Sequence, residues 1–364
     1  MSARTRGLRR RDLLKAGSAL AVAAPLGAPM IRRARAAAPL KVGVYGGYFK
    51  DAFDEHVFPV FTRETGIAVQ SVAEPTGEAW LVQLQNAARA GQAPADVSMM
   101  AQIPRMKGER AGLWAPLDES ALPNLANLYP HFVYRYEDGR LSGIGAVSWY
   151  ITLVTNTEVY PEEPESWAAF WDPANRDRIG LLALPSNSFL LEITATTFFG
   201  GKDILETREG RLEVMRKLAE VKPNVRLWYR DEGQFQQALQ AGEIPMGQYY
   251  HDVTMIAAAD GFPVRSTFPK EGGVLDSGAW VVSKASRMLE EAQAFIDWTC
   301  RPEAQALIAR KVGTAPTVRR PLLDLTDEEF ALVSSEKTPI IPAYAIYMED
   351  GDWITERWNE MIIG

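Results

Sequence analysis

Side chains that do chemistry must attack, exchange protons, hold metals, or offer charge and ring faces, and in these 364 residues only the last kind is well supplied. The three histidines, His56, His131 and His251, are scattered. No Gly-x-Ser-x-Gly elbow, His-Glu-x-x-His pair or Gly-x-x-x-x-Gly-Lys-Ser phosphate cradle occurs. Acid runs such as Glu162-Glu163 and Asp327-Glu328-Glu329 stand in turn-like or helix-start contexts, as solvated faces do. No catalytic residue is therefore assigned, and a hydrolase working through carboxylates alone is the weakest reading. Rings are plentiful, with 12 Tyr, 10 Trp and 14 Phe. In Tyr45-Gly46-Gly47-Tyr48, the glycines would let backbone N–H groups approach a bound molecule while the tyrosines present faces and hydroxyls. Tyr249-Tyr250-His251-Asp252 carries oxygen and nitrogen donors of the kinds that bind transition metals. Consecutive strand residues face opposite ways, so at most Tyr250 and Asp252 would converge, and no metal ligand or cofactor is assigned.

These residues need elements to position them. Leu40 to Tyr45 reads as a strand, and Gly46-Gly47 as its turn. Phe49, Phe53, Val57 and Phe61 recur every fourth residue along one helix face that stops at Thr65-Gly66. A strand from Ile67, a helix from Ala79 to Ala90 and a buried strand Asp96–Met100 continue an alternation typical of an α/β layered fold with a largely parallel sheet. Val147–Asn156 is a long extended run with no helix attached, as is Val274–Val282. Both are expected to carry the chain between lobes. Ser166 is expected to cap a helix over 167–171, Ile179–Leu184 to form a strand, and Pro245–Tyr249 another, with helices over 212–221, 234–241 and 253–259.

The first 36 residues read as an export label. Arg10-Arg11-Asp12-Leu13-Leu14-Lys15 precedes a weakly apolar stretch broken by Pro25 and Pro29, and a small-x-small site follows at Ala34-Arg35-Ala36. This is the pattern of a twin-arginine signal rather than a membrane anchor, which needs about 20 unbroken apolar residues. The segment holds nine Arg or Lys and one Asp, a surplus of eight positive charges. The whole-chain charge of −7 thus becomes −15 once it is removed. So acidic a surface repels phosphate backbones and anionic lipid, which argues against nucleic-acid and membrane-surface partners. The single cysteine, Cys300, cannot form an internal disulfide. A free, periplasmic monomer is expected, and a length of about 328 residues after the signal suits two lobes.

Several landmarks follow one another along the chain: Phe61-Thr62-Arg63-Glu64-Thr65-Gly66-Ile67, Ala95-Asp96-Val97, Trp149, Pro269-Lys270-Glu271-Gly272-Gly273, Phe295-Ile296-Asp297-Trp298 with Arg301-Pro302-Glu303, and Gly313-Thr314-Ala315-Pro316-Thr317. Their order resembles the periplasmic solute-binding proteins of ABC transporters, in the branch that includes spermidine/putrescine-binding proteins. The resemblance implies an α/β, two-lobed periplasmic-binding-protein fold of type II, each lobe a sheet flanked by helices and joined by crossing strands. Residues 37–148 with 280–325 would form one lobe, and 149–279 with 326–364 the other. A solute held in the cleft would be passed to an ABC permease in the inner membrane. Ferric capture, or less readily an exported hydrolase, is the alternative.

The resemblance places ligand contacts in the loop Tyr45, Gly46, Gly47, Tyr48 and puts Tyr250 where polyamine binders carry a ring packed along the amine. Gln102 ends the third strand, and strand alternation sends one of Trp149 and Tyr150 into the cleft, with Trp149 the expected one. The chain departs from the polyamine pattern at two places. Alignment on Glu271-Gly272-Gly273 puts Asp276 where an aromatic is usual, with Gly278 at the carboxylate position, and Pro185-Ser186-Asn187-Ser188-Phe189 replaces expected acids. Each buried ammonium needs a carboxylate or several acceptors, so a long polycation is poorly served. A small amine could use Asp276 with ring faces, and Ser186 and Asn187 would serve an amino-acid-like carboxylate.

Overall fold

In the computed structural model, residues 38–75 and 78–363 are described. The export signal at 1–36 lies outside the described residues. Ten strands occur among them: β1 Leu40–Tyr45, β2 Val69–Glu74, β3 Val97–Ala101, β4 Val133–Arg135, β5 Leu141–Asn156, β6 Ile179–Leu182, β7 Val225–Tyr229, β8 Met246–Tyr250, β9 Val264–Thr267 and β10 Val274–Val282. They hydrogen-bond in the order β2-β1-β3-β10-β5-β8-β6-β7, with β4 and β9 also pairing with β5. At one end β1 is parallel to β2 and β3, and at the other β6 is parallel to β7 and β8. Parallel neighbours require crossovers, which the helical stretch 48–65 supplies between β1 and β2 and the helix Arg208–Ala219 between β6 and β7. The two ends meet through the antiparallel pair β5 and β10.

The two largest apolar clusters are built from opposite ends of the same two strands. Ile144, Ala146 and Val147 of β5, with Trp280 and Val282 of β10, pack in one core with Leu40, Phe53, Phe61, Phe295 and Trp298. Ile151 and Leu153 of β5, with Val274 of β10, pack in a second with Trp167, Ile179, Val214, Ile354 and Trp358. Each of the two strands thus begins in one core and ends in the other, the two-lobed architecture expected. The strands of the two lobes form one continuous ladder, because β5 is long enough to pair with β10 and β8 in succession. A further passage follows: Phe330 and Val333 belong to the first core, Ile340 and Ile346 to the second. Ile340 bridges Val274 in parallel.

The expected elements recur with local differences. The helix carrying Phe53, Val57 and Phe61, all fully buried, is interrupted by a π turn over Phe53–Val57. A strict four-residue repeat overshoots about 3.6 residues per turn, and the wider π turn absorbs the excess so that one face keeps pointing inward. Gly66 at φ 74 then ends the helix. Ser166 does cap, its Oγ accepting from Ala168 N at 3.1 Å, but the following turn is a 3₁₀ helix over Trp167–Trp171. Pro173, two residues beyond, prevents its extension. The short strands β4, β7 and β9 have no counterpart in the sequence reading. No helix among the described residues is long and apolar enough to cross a membrane.

Candidate functional site

The register of β5 against β10 sets Trp149 directly opposite Asp276 and Ile151 opposite Val274. Opposed residues share a face, so Trp149 and Asp276 project together while Tyr150, on the reverse, is buried beside Phe268 with ring centroids 5.0 Å apart. Tyr45 at the end of β1 brings its ring to 6.5 Å from Trp149 in an edge-to-face arrangement. Tyr250 at the end of β8 pairs with Ile151, and its hydroxyl donates to Glu232 Oε1 at 2.8 Å. β6 leads into the helical turn Pro185–Ser188, which presents Ser186 and Asn187. Together these line a cavity of ≈ 350 Å³. It lies beyond the carboxyl ends of β1, β3, β6 and β8, where open α/β sheets generally hold ligands.

Seven of the ten sequence-predicted residues thus converge: Tyr45, Gln102, Trp149, Ser186, Asn187, Tyr250 and Asp276. Gly46 and Gly47 are exposed and lie outside the lining, because Gly47 at φ 65 turns the chain outward into the helix Tyr48–Ala52. The side chain of Tyr48 falls outside the described part. Gln102 is a wall rather than a free amide. Its Nε2 donates to Tyr134 Oη at 2.8 Å and Ser277 Oγ at 3.1 Å, and its Oε1 accepts from Arg105 Nε at 2.9 Å. The lining also holds Ile103, Pro104, Ile151, Phe189 and Tyr344, which the sequence reading missed.

The four residues Tyr249–Asp252 do not form a donor cluster. Tyr249 and Tyr250 end β8, whereas His251 and Asp252 begin the helix His251–Ala259, so strand alternation does not bring Tyr250 and Asp252 together as expected. Tyr249 Oη donates to Gln236 at 3.4 Å, and both ring nitrogens of His251 are engaged, with Ser266 Oγ at 2.8 Å and Ala331 O at 2.9 Å. Burial pushes the His251 imidazole down to about 4, which leaves it neutral and structural. Among the described residues, no group of three or more His, Cys, Asp or Glu is placed to hold a metal ion.

The pattern of the bacterial extracellular solute-binding proteins matches residues 58–324. The chain belongs to that family. It is 24% identical over 332 residues to the gamma-aminobutyric acid-binding protein of Pseudomonas aeruginosa, covering 88% of this chain and 90% of that one. It is also 24% identical over 295 residues to the spermidine/putrescine-binding periplasmic protein of Escherichia coli, covering 80% and 81%. In fold it superposes on an ABC transporter substrate-binding protein from Bradyrhizobium japonicum with a TM-score of 0.75, at 21% identity, over 89% of this chain and 99% of that one.

In this solute-binding protein the cavity is electrostatically lopsided. Asp276 is the sole carboxylic acid in its lining among the described residues, and no Arg, Lys or His joins it. Burial raises its carboxyl to about 6, against the opposing pull of donors from Tyr344 Oη at 2.6 Å and Ser277 N at 2.7 Å. The Tyr45 phenol is pushed well above its ordinary value by burial, then by the negative charge of Glu74 and Asp276. Its hydroxyl is buried without a hydrogen-bond partner among the described residues. Tyr344 is held in place by its neighbours: buried Glu192 accepts from Ala343 N at 3.0 Å and from Tyr347 Oη at 2.9 Å.

Proposed function

We propose that this chain is the substrate-binding component of an ABC transporter and that it holds a small organic amine in the Asp276 cavity for delivery to an inner-membrane permease. One observation carries the ligand class: a single carboxylate faces a cavity walled by Tyr45, Trp149, Tyr250 and Tyr344. An ammonium placed there gains a charge partner and ring faces while losing its water. Relatives named for γ-aminobutyrate and for spermidine and putrescine bind amine-bearing solutes, which agrees with that chemistry. Export by the twin-arginine route to the periplasm, action as a monomer and the absence of any bond-breaking step complete the reading.

The lobes follow the cores, with β5, β10 and residues 334–339 as the passages between them. One lobe takes residues up to the middle of β5, the end of β10 and the chain to Val333. The other takes the rest. The test is a thermal-shift and calorimetric screen of the chain from residue 37 against primary amines, amino acids and a ferric salt. Amines should raise the melting temperature in a concentration-dependent way. A chain that answers only to the ferric salt, with a visible charge-transfer band, refutes the amine reading.

A further inference from the structure

The polar groups of the cavity are few enough to specify the charge of the solute. Both donors to Asp276, the Ser277 amide and the Tyr344 hydroxyl, fall on Oδ1. Oδ2 is left for a ligand, and the unpartnered Tyr45 hydroxyl stands in the same lining. These two groups accept two of the three N–H bonds of one ammonium, and the third can face a ring of the lining. The same lining holds Ser186 and Asn187, joined by a hydrogen bond from Ser186 Oγ to Asn187 Oδ1 at 2.9 Å. That bond leaves the amide N–H groups of Asn187 and the lone pairs of Ser186 for a ligand, and both are uncharged.

Charges near the cavity are already committed. Arg105 donates from Nε to Gln102 and from its terminal nitrogen to Glu109 at 2.7 Å, and it lies over the Tyr134 ring at 4.4 Å. It lines the neighbouring cavity behind Gln102 rather than this one. Glu232, which accepts from Tyr250, is exposed and outside the lining. A carboxylate on the solute would therefore meet no cation, and a second ammonium would meet no second carboxylate.

From this inventory, and resting on the amine reading above, we infer that the solute is a monovalent cation: one ammonium at Asp276 and an uncharged polar tail, such as a carboxamide or hydroxyl, at Ser186 and Asn187. Zwitterions and dications are disfavoured because one of their charges loses hydration without a partner. Asn187 lies at the exposed rim, so the penalty is partial and the discrimination modest.

The test uses three four-carbon amines that differ only at the far end: 4-aminobutanamide, γ-aminobutyrate and putrescine. Calorimetry of the chain from residue 37 should show the amide binding roughly tenfold or more tighter than either of the others. Asn187→Asp, on the rim and without a core contact to lose, should move the preference toward putrescine by a similar factor. Its far-UV spectrum and melting curve check that the variant folds. Equal or tighter binding of γ-aminobutyrate or putrescine by the unaltered chain overturns the monocation assignment while leaving the amine reading in place. Silence from all three, with no response to any other amine, overturns both.

Discussion

Acidity should act on this protein in two opposite directions at once, through Asp276. Its carboxyl has an ordinary value of 3.8 and is raised to about 6 in the fold. It is thus roughly 90% ionised at pH 7 and roughly 10% at pH 5. An ammonium ligand binds the ionised form, so affinity should fall about tenfold between pH 7 and pH 5, equivalent to about 1.4 kcal/mol. The unliganded fold responds the other way. Between 3.8 and about 6 the folded chain keeps a proton that the unfolded chain has lost. Stability from this group is therefore fully present below 3.8 and is lost as pH rises through about 6. Going from pH 7 to pH 5 adds about 1.3 kcal/mol from this residue. Calorimetric titration and urea unfolding at a series of pH values read both effects, with Asp276→Asn as the control that should flatten both slopes relative to the unaltered chain. An affinity independent of pH between 5 and 7.5, or the same slope in Asp276→Asn, refutes the placement of the ammonium at this carboxylate.

Tyr45→Phe removes a buried hydroxyl that has no partner among the described residues. It should leave the melting temperature of the free protein unchanged or slightly raised, while weakening amine binding by about 0.5–1.5 kcal/mol in calorimetry. Gly43→Ala would set a methyl group 1.8 Å from Glu74 Oε1, inside a packed layer. About 1–3 kcal/mol of stability should be lost in urea unfolding. Glu192→Ala leaves the Ala343 amide and the Tyr347 hydroxyl without their acceptor. It should cost about 2–3 kcal/mol in stability, and it should also weaken ligand binding, because the turn that presents Tyr344 to Asp276 is no longer held.

How far the residues alone disclosed this arrangement depends on how local each signal is. The strands β1, β5 and β10 and the helix bearing Phe53, Val57 and Phe61 announce themselves by alternation or by apolar periodicity, although β5 begins at Leu141, six residues before the expected start at Val147. Tyr45 and Trp149 were legible because each lies on, or at the end of, such an element, whereas Tyr250 and Asp276 were placed by the resemblance to the polyamine-binding branch. Tyr344 and Phe189 were not. Tyr344 reaches the cavity only because Ile340 bridges Val274 and Glu192 fixes the turn before the helix, contacts made across more than 60 residues of sequence or more. Phe189 adopts φ 52, a backbone state that its own type disfavours and that only its surroundings can impose. Gly46-Gly47, expected both as a turn and as ligand contacts, forms the turn into a helix and lies outside the cavity lining. Short strands such as β4 and β9 exist only as edges laid along β5, and nothing within three or four residues signals that.

The shared ladder of β5 and β10 has a mechanical corollary. If one half of the molecule swings against the other, the motion must be absorbed as twist in the stretch where the two strands exchange cores, near Trp149 and Asp276. Atoms on a pivot travel least. The indole and carboxylate would keep nearly the same spacing at every angle of swing, whereas Ser186 and Asn187, carried on the turn after β6 in one half, would shift relative to them. A solute could thus be caught by its charged head before the jaws shut, with its tail inspected only as they do.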